Sequence, residues 1–503
     1  MPPPLMAFVC LIGIVGLFVL ERDKGSRSSK ALWIPVAWLF INCSRPASLW
    51  LDALGLRGFS VARTAQVYVE GSPVDAAVFS FLLIAGLIVL AHRTQQLRPL
   101  FGKMVPILIF FLYCALSILW ADHPLVAFKH WSKGIGDLVM VLVVLTDPEP
   151  AVAFKRLLSG LGFVLLPLSI LFIKYYPSIG RAYTPLGFNL YSGVTLQKNT
   201  LGVICLIFGL GFLWRFLAVY RDRGVARRTK LLTAYGIILA MALWLLWMSN
   251  SMTSISCFVM ASALLVLANR PMMTRRPAVV HILVAAMVGF SLFALFFDAS
   301  GDIIKGLGRN PTLTGRTAIW SAVLPFAGNP LIGTGYESFW VGKRVEEFWA
   351  ANNGALNGIT EAHNGYLELY LNLGWIGVAL LAALIVLGYR KVIATLRADP
   401  QAGSIGLAFF VSEIVYNYAE AGFRMMFPLW IFFLLAVLGI PTTPPPQNPS
   451  TIENDFFDDI IAPETDVDHA LGVASCAGIN SGRSEQAVYS RTSAIWNYFQ
   501  RNR

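Results

Sequence analysis

Apolar stretches of near-bilayer length recur along the whole chain, separated by short polar segments. They lie near residues 5–20, 31–43, 75–91, 105–120, 134–146, 158–175, 199–219, 231–248, 252–268, 279–297, 368–389, 402–418 and 425–440. A hydrocarbon core about 30 Å thick requires roughly 20 apolar residues of helix, and the runs at 31–43 and 134–146 are short by that measure. The pattern predicts an all-α polytopic membrane protein with about twelve or thirteen spans. The first run has nothing basic before it and no small-residue cleavage site after it, and ERDKGSRSSK follows it. It therefore reads as an anchor rather than a cleaved signal.

Composition agrees. Of 503 residues, 56% are hydrophobic and only 13% charged, about half the charged share of a soluble domain. The net charge of +11 could indicate a nucleic-acid partner, but its distribution argues otherwise. Segments 21–30, 92–104, 147–157, 214–230, 269–278 and 390–403 carry 4, 3, 2, 6, 3 and 3 Lys or Arg residues. All fall on one side when the spans alternate, so the positive-inside rule makes them cytoplasmic. The basic excess is topology, and no nucleic acid is expected as a partner; the bilayer is. The cysteines Cys10, Cys43, Cys114, Cys205 and Cys257 sit in or beside apolar runs without CxxC or metal spacing, and Cys476 lies near the C-terminus. They read as packing residues.

The remaining segments then face outward: 44–74, 121–133, 176–198, 249–251, 298–367 and 419–424. The 298–367 loop is much the longest, and a loop of that size in a compact protein is usually functional. Within it, TGRTAIWSAVL (314–324) predicts a short amphipathic helix with Arg316 and Trp320 one turn apart. AGNPLIGTGYESF predicts turns at Asn329-Pro330, Gly333 and Gly335. Residues 1–440 are expected to form the membrane domain, with a core region near 190–390. Residues 441–503, with PTTPPPQNPS and an acidic stretch, are expected to be a disordered cytoplasmic tail. Asp466 and Asp468 form a DxD there with no flanking strand pattern, which makes it a chance match.

The candidate chemistry gathers on the outer face. In EAHNGYLELYLNLGWIG (361–377), a helix starting near Thr360 places His363, Tyr366, Leu367 and Tyr370 on one face, with Thr360 as N-cap and Glu361 in the first turn. An interfacial aromatic belt accounts for tyrosines but not for the histidine. Arg316 lies 47 residues earlier, on a residue count from 316 to 363. Segment 176–198 supplies Arg181, Lys198 and Asn199, with Tyr183 and Tyr191 among glycines. Lys198 heads an apolar helix, where the dipole disfavours a cation, and an anionic partner would explain it. Arg424 lies in a short outer turn near Glu413, Asn417 and Glu420, polar groups that in a span usually face a cavity. Cations at headgroup level suit a pyrophosphate, an imidazole suits deprotonation of a hydroxyl, and Trp320, Tyr336 and Tyr366 offer flat surfaces for sugar rings. No HExxH, Walker loop or GxSxG occurs.

LQKNTLG (196–202), GRTAIW with NPLIGTGYESF (315–339), and EAHNGYLELYLNLGWIG together resemble the O-antigen ligase and O-antigen polymerase superfamily. INCSRPASLWL (41–51) is similar to the first outer loop of exopolysaccharide-polymerase members. The resemblance covers about residues 31–440. It implies a GT-C-type glycosyltransferase architecture in the bacterial inner membrane with a periplasmic active face, no cofactor and no metal. Its donor would be a polyprenyl-pyrophosphate-linked oligosaccharide, its acceptor a glycan or lipid A core, and other polysaccharide-export proteins would be partners. Carried over by position, His363 and Arg316 are catalytic. Arg181, Lys198, Asn199, Trp320, Tyr366 and Arg424 bind substrate. Gln197 departs from the family pattern, where many members have His. A transporter or flippase of lipid-linked oligosaccharide is the competing reading; it would show related halves and interrupted mid-membrane helices.

Overall fold

A computed structural model describes residues 2–21, 28–55, 72–183, 187–270, 277–296, 313–352 and 356–440. The DxD, Cys476, the tail from 441 and the first part of the long loop lie outside the described residues.

The protein is all-α and polytopic. In chain order its principal helices are α1 (Pro3–Glu21), α2 (Trp33–Asn42), α3 (Pro73–His92), α4 (Phe101–Leu116), α5 (Pro124–Leu145), α6 (Pro150–Tyr175), α7 (Lys198–Arg221), α8 (Arg228–Ser249), α9 (Met252–Ala268), α10 (Pro277–Phe296), α11 (Leu313–Val323), α12 (Lys343–Ala351), α13 (Gly365–Ala398), α14 (Pro400–Tyr416) and α15 (Pro428–Leu438). The strands are β1 (Arg181–Tyr183) and β2 (Asn189–Tyr191), an antiparallel pair with Arg181 opposite Tyr191. Each apolar run of the sequence lies on a helix.

Not every apolar run forms a helix of full spanning length. Among the described residues, seven helices are both long and apolar enough to cross a membrane, and four shorter apolar helices of 10–17 residues accompany them. At 1.5 Å per residue a 10–17-residue helix reaches about 15–26 Å, less than the hydrocarbon thickness. α15 shows how such a helix is used: all eleven of its residues are buried among its neighbours. The bundle is graded in the same way. α6 and α7 are largely buried, whereas α1 leaves Phe8, Leu11, Ile12 and Val19 exposed, and α3 leaves Phe81 and Ile84 exposed. On outer helices such side chains match acyl chains and need no protein cover.

α13 is broken near its start, inside the apolar run at 368–389. Gly374 has φ 63° and ψ −165°, a region open essentially to glycine alone. The NPLIGTG turn fills the break. Trp375 N–H donates to Pro330 O at 2.9 Å and Ile376 N–H to Leu331 O at 3.1 Å, while Thr334 N–H and Gly335 N–H donate to Leu371 O and Asn372 O at 3.1 and 2.8 Å. A Cβ on Gly374 would lie 2.3 Å from the Leu331 carbonyl carbon. The long loop is thus stitched into α13 by backbone groups that a regular helix would have used internally. Above it Val323, Phe339, Phe348, Ala362 and Leu371 form a small separate core.

Candidate active site

The segment leading into α13 departs from the helix predicted from Thr360. The helix begins at Gly365, capped by Asn364, whose Oδ1 accepts from Tyr366 N–H and Leu367 N–H, each at 3.0 Å. His363 precedes the cap in a left-handed conformation, φ 51°. It therefore shares no helical face with Tyr366 and Tyr370. Asn side chains satisfy orphan N–H groups better than Thr at this position, and the strained His363 requires support from around it. That support is present. The Ala362 N–H donates to the Glu368 carboxylate, and Ala362 O accepts from Trp320 Nε1 at 2.8 Å. Gly365 N–H donates to Asn417 O and Glu420 O at 2.9 and 3.0 Å. Any Cβ on Gly365 would sit 1.8 Å from Asn417 Oδ1, so only glycine permits this approach.

Glu420, 6% exposed, is the hub of the charged groups. Its Oε1 accepts from Arg316 Nη2 at 2.8 Å and from Asn199 Nδ2 at 2.9 Å. Its Oε2 lies 3.3 Å from His363 Nδ1. That same nitrogen is 3.1 Å from Glu361 Oε1, whose second oxygen is 3.3 Å from Arg424 Nη1. Arg316, Glu420, His363, Glu361 and Arg424 thus form one alternating chain. The hydrogen bond to Glu420 raises the His363 pKa, burial opposes it, the charges of Glu361 and Glu420 add to the rise, and Arg316 works against it.

Two further contacts hold the turn that carries Glu420 and Arg424. Asn417 Oδ1 accepts from Gly422 N–H and Phe423 N–H at 2.7 and 2.8 Å. Asp137, on α5, accepts from Met426 N–H at 2.7 Å and from Trp38 Nε1 at 2.8 Å. Beside the cluster opens a cavity of about 1030 Å³, whose lining includes Gln197, Trp340, Thr360, Gly365 and Arg424.

The structure therefore brings together His363, Arg316, Asn199 and Arg424. Trp320 reaches the cluster through the Ala362 carbonyl. Lys198 adjoins Asn199 at the start of α7, with Nζ 3.5 Å from Asn250 O. Arg181 is engaged elsewhere: its Nε donates to Ile173 O at 2.8 Å and its guanidinium lies over the Tyr191 ring. Tyr366 turns into the bundle rather than toward the cavity, stacking on Tyr418 and donating its hydroxyl to Ile414 O at 3.0 Å. Tyr336 is buried, 4% exposed. Asn417 and Glu413 are fully buried and do not line the cavity. The sequence named Glu361 only as a first-turn acid and Glu420 only as a neighbour of Arg424; an acid within a few residues of each cation was the available signal. Glu361, His363 and Glu420 offer ligand atoms within 4.8 Å of one another; Arg316 and Arg424 pair with the other oxygen of each carboxylate, leaving Glu361 Oε1 and Glu420 Oε2 facing His363.

Comparison with known proteins adds the decisive observation. Residues 236–382 match the O-antigen ligase family, a stretch that takes in Arg316, Trp320 and His363. Over 364 residues the chain is 26% identical to the exopolysaccharide production protein ExoQ of Rhizobium meliloti (strain 1021), which covers 68% of this chain and 78% of that protein. The chain is a polytopic membrane protein that carries a segment similar to the O-antigen ligase family. The O-antigen ligase match stops short of Asn199 on one side and of Glu420 and Arg424 on the other, so the carboxylate hub is assembled from outside the matched segment.

Proposed function

We propose that this protein is a glycosyltransferase of surface-polysaccharide biosynthesis that polymerises or ligates polyprenyl-pyrophosphate-linked glycans on the periplasmic face of the inner membrane. One observation carries the reading: a histidine held by two carboxylates, one of which also holds an arginine and an asparagine while the other is paired with Arg424, which lines a large cavity. The name of the ExoQ relative supports exopolysaccharide as the product class.

With Nδ1–H donating to Glu420 beside the Glu361 carboxylate, the His363 Nε2 is the basic nitrogen. It takes the proton of the acceptor hydroxyl as that oxygen attacks the anomeric carbon. The bond from that carbon to the pyrophosphate oxygen breaks, and polyprenyl pyrophosphate leaves. General-base help of this kind contributes about 10²–10⁴-fold. Arg316, oriented by Glu420, keeps further guanidinium donors for the leaving phosphates, with Lys198 as an additional cation; Arg181, held by Ile173 and Tyr191, is not enlisted. Stabilising charge on a leaving group is usually the largest catalytic contribution. Asn199 and Arg424 fix the two carboxylates, and Trp320 fixes the loop. No residue of this chain need supply a metal or cofactor for that sequence of steps.

The test is complementation of a deletion strain with wild type, His363→Ala and Arg316→Ala at matched membrane levels, followed by gels of lipopolysaccharide and secreted polysaccharide. Loss of long-chain secreted polysaccharide restored by wild type alone identifies a polymerase. Loss of the glycan capping lipid A core identifies a ligase. Full rescue by both variants sinks the enzymatic reading.

A further inference from the structure

The cavity beside His363 holds an acid that the reaction above does not use. Its walls include Tyr336, Trp340, Trp349 and Phe423, and its charged groups include Glu337, Glu368 and Arg424. Two of these are committed within the protein. Glu368 accepts from Trp340 Nε1 with both oxygens, at 3.0 and 2.9 Å, and takes the Ala362 N–H. Arg424 is paired with Glu361 at 3.3 Å. Glu337 differs. Among the described residues no hydrogen bond or ion pair reaches its carboxylate, although burial pushes that carboxyl up; Arg424 opposes the rise and Glu361 adds to it.

The backbone presents this side chain deliberately. Glu337 has φ 51°, a left-handed conformation that glycine or asparagine adopts more readily. Its neighbours are braced: Tyr336 N–H donates to Ser117 Oγ at 3.0 Å and Ser338 N–H to Asn372 Oδ1 at 2.9 Å. Its own carbonyl meets His130 Nδ1 at 3.3 Å. A glutamate at a strained, braced position is there for its carboxylate, since other residues would form the turn more easily. The adjacent indoles are fixed too, because Trp340 bonds inward to Glu368 and Trp349 Nε1 donates to Ile359 O at 3.0 Å. A volume near 1030 Å³ stands at the upper end of pockets that enclose drug-sized ligands, about 300–1,000 Å³.

We propose that Glu337, with the rings of Trp340 and Trp349, forms a sugar-ring subsite in which the carboxylate accepts hydrogen bonds from hydroxyls of one pyranose of the glycan substrate. This rests on the reading of the protein as a glycan-transferring enzyme. The subsite sets which sugar is accepted, whereas the His363 cluster carries the chemistry. A site built to bond a hydroxyl rejects rings that lack it, because its own half-buried acid is then left unpaired.

The experiment uses purified full-length protein in detergent and radiolabelled oligosaccharide in two forms, both from the deletion strain: lipid-linked, and released from lipid and phosphate by mild acid. Wild type, Glu337→Gln and Glu337→Asn are compared, the last chosen because asparagine suits the left-handed backbone. The expected result is that wild type retains the released oligosaccharide and both variants lose about tenfold or more in affinity, as expected for a hydrogen bond to a charged group. Retention of the released form equal to wild type in both variants overturns the subsite, as does absence of any retention by wild type. Transfer activity of wild type is read separately. Retention without transfer counts against the proposed reaction and leaves the subsite standing. In the transfer assay, a raised KM for the lipid-linked form alone assigns the ring to the donor, and a raised KM for the released form alone assigns it to the acceptor.

Discussion

His363 and Glu420 face each other across 3.3 Å, Nδ1 to Oε2, although 57 residues separate them in the chain. The histidine stands at the end of the long loop and the glutamate in the turn between α14 and α15. Everything proposed about the site depends on this pair, because the carboxylate both orients the ring and sets its basicity.

The pH dependence follows from it. The contacts with Glu420 and Glu361 favour the imidazolium, so the His363 pKa lies above its ordinary 6.5. A general base must be neutral, so transfer is expected to rise with pH through an inflection above 6.5. In Glu420→Gln the imidazolium loses its main partner and the inflection moves to lower pH, while the rate plateau falls. The linked stability has the opposite sense. What these contacts add to folding is complete below the unfolded histidine value, about 6.5, and is lost as pH rises through the raised folded value. A pH–rate profile of the two proteins checks this; an unmoved limb would contradict the assigned contact.

Trp320 acts through the backbone. Trp320→Phe keeps the ring and removes the Nε1 bond to Ala362 O, freeing one side of the loop that carries His363. The expected loss in transfer rate is about five- to tenfold, the worth of one hydrogen bond, with binding of the lipid-linked oligosaccharide unchanged. Tyr366→Phe is the contrasting substitution. Its hydroxyl serves Ile414 O inside the bundle, so the expected effect is a stability loss of about 0.5–1.5 kcal/mol with the substrate KM unaltered. Melting curves and KM values for both variants separate the two roles.

Gly374→Ala tests the joint between loop and helix. The side chain would enter a glycine-only conformation, costing on the order of 1–3 kcal/mol, and would meet the Leu331 backbone at 2.3 Å. Both a lower melting temperature in detergent and reduced transfer are expected, because the NPLIGTG turn bonds to Leu371, which shares the small outer core with Ala362. A melting temperature equal to wild type would show that the turn does not depend on the break.

Much of this was legible from residue order. Long apolar runs and the amphipathic 314–324 segment are local patterns, and each corresponds to a helix. The groups at His363, Arg316, Asn199 and Arg424 were legible because polar residues at the ends of apolar helices are costly without a purpose. What stayed hidden was non-local. Nothing near Gly374 in sequence announces that residues 330–335 will complete its hydrogen bonds. A histidine and two tyrosines spaced three and four apart imitate a helical face, and only the Asn364 cap reveals that the helix starts two residues too late to include His363. Glu420 looked peripheral because its three partners come from positions 199, 316 and 363.

The central claim is that His363 takes the proton of the attacking hydroxyl. The most direct measurement is the initial rate of glycan transfer by purified wild type and His363→Ala in proteoliposomes supplied with lipid-linked oligosaccharide from the deletion strain, with both proteins folded by melting curve. The account predicts a fall of about 10²–10⁴-fold with oligosaccharide binding retained. A His363→Ala rate within a factor of about three of wild type, far below the contribution of a general base, would contradict it.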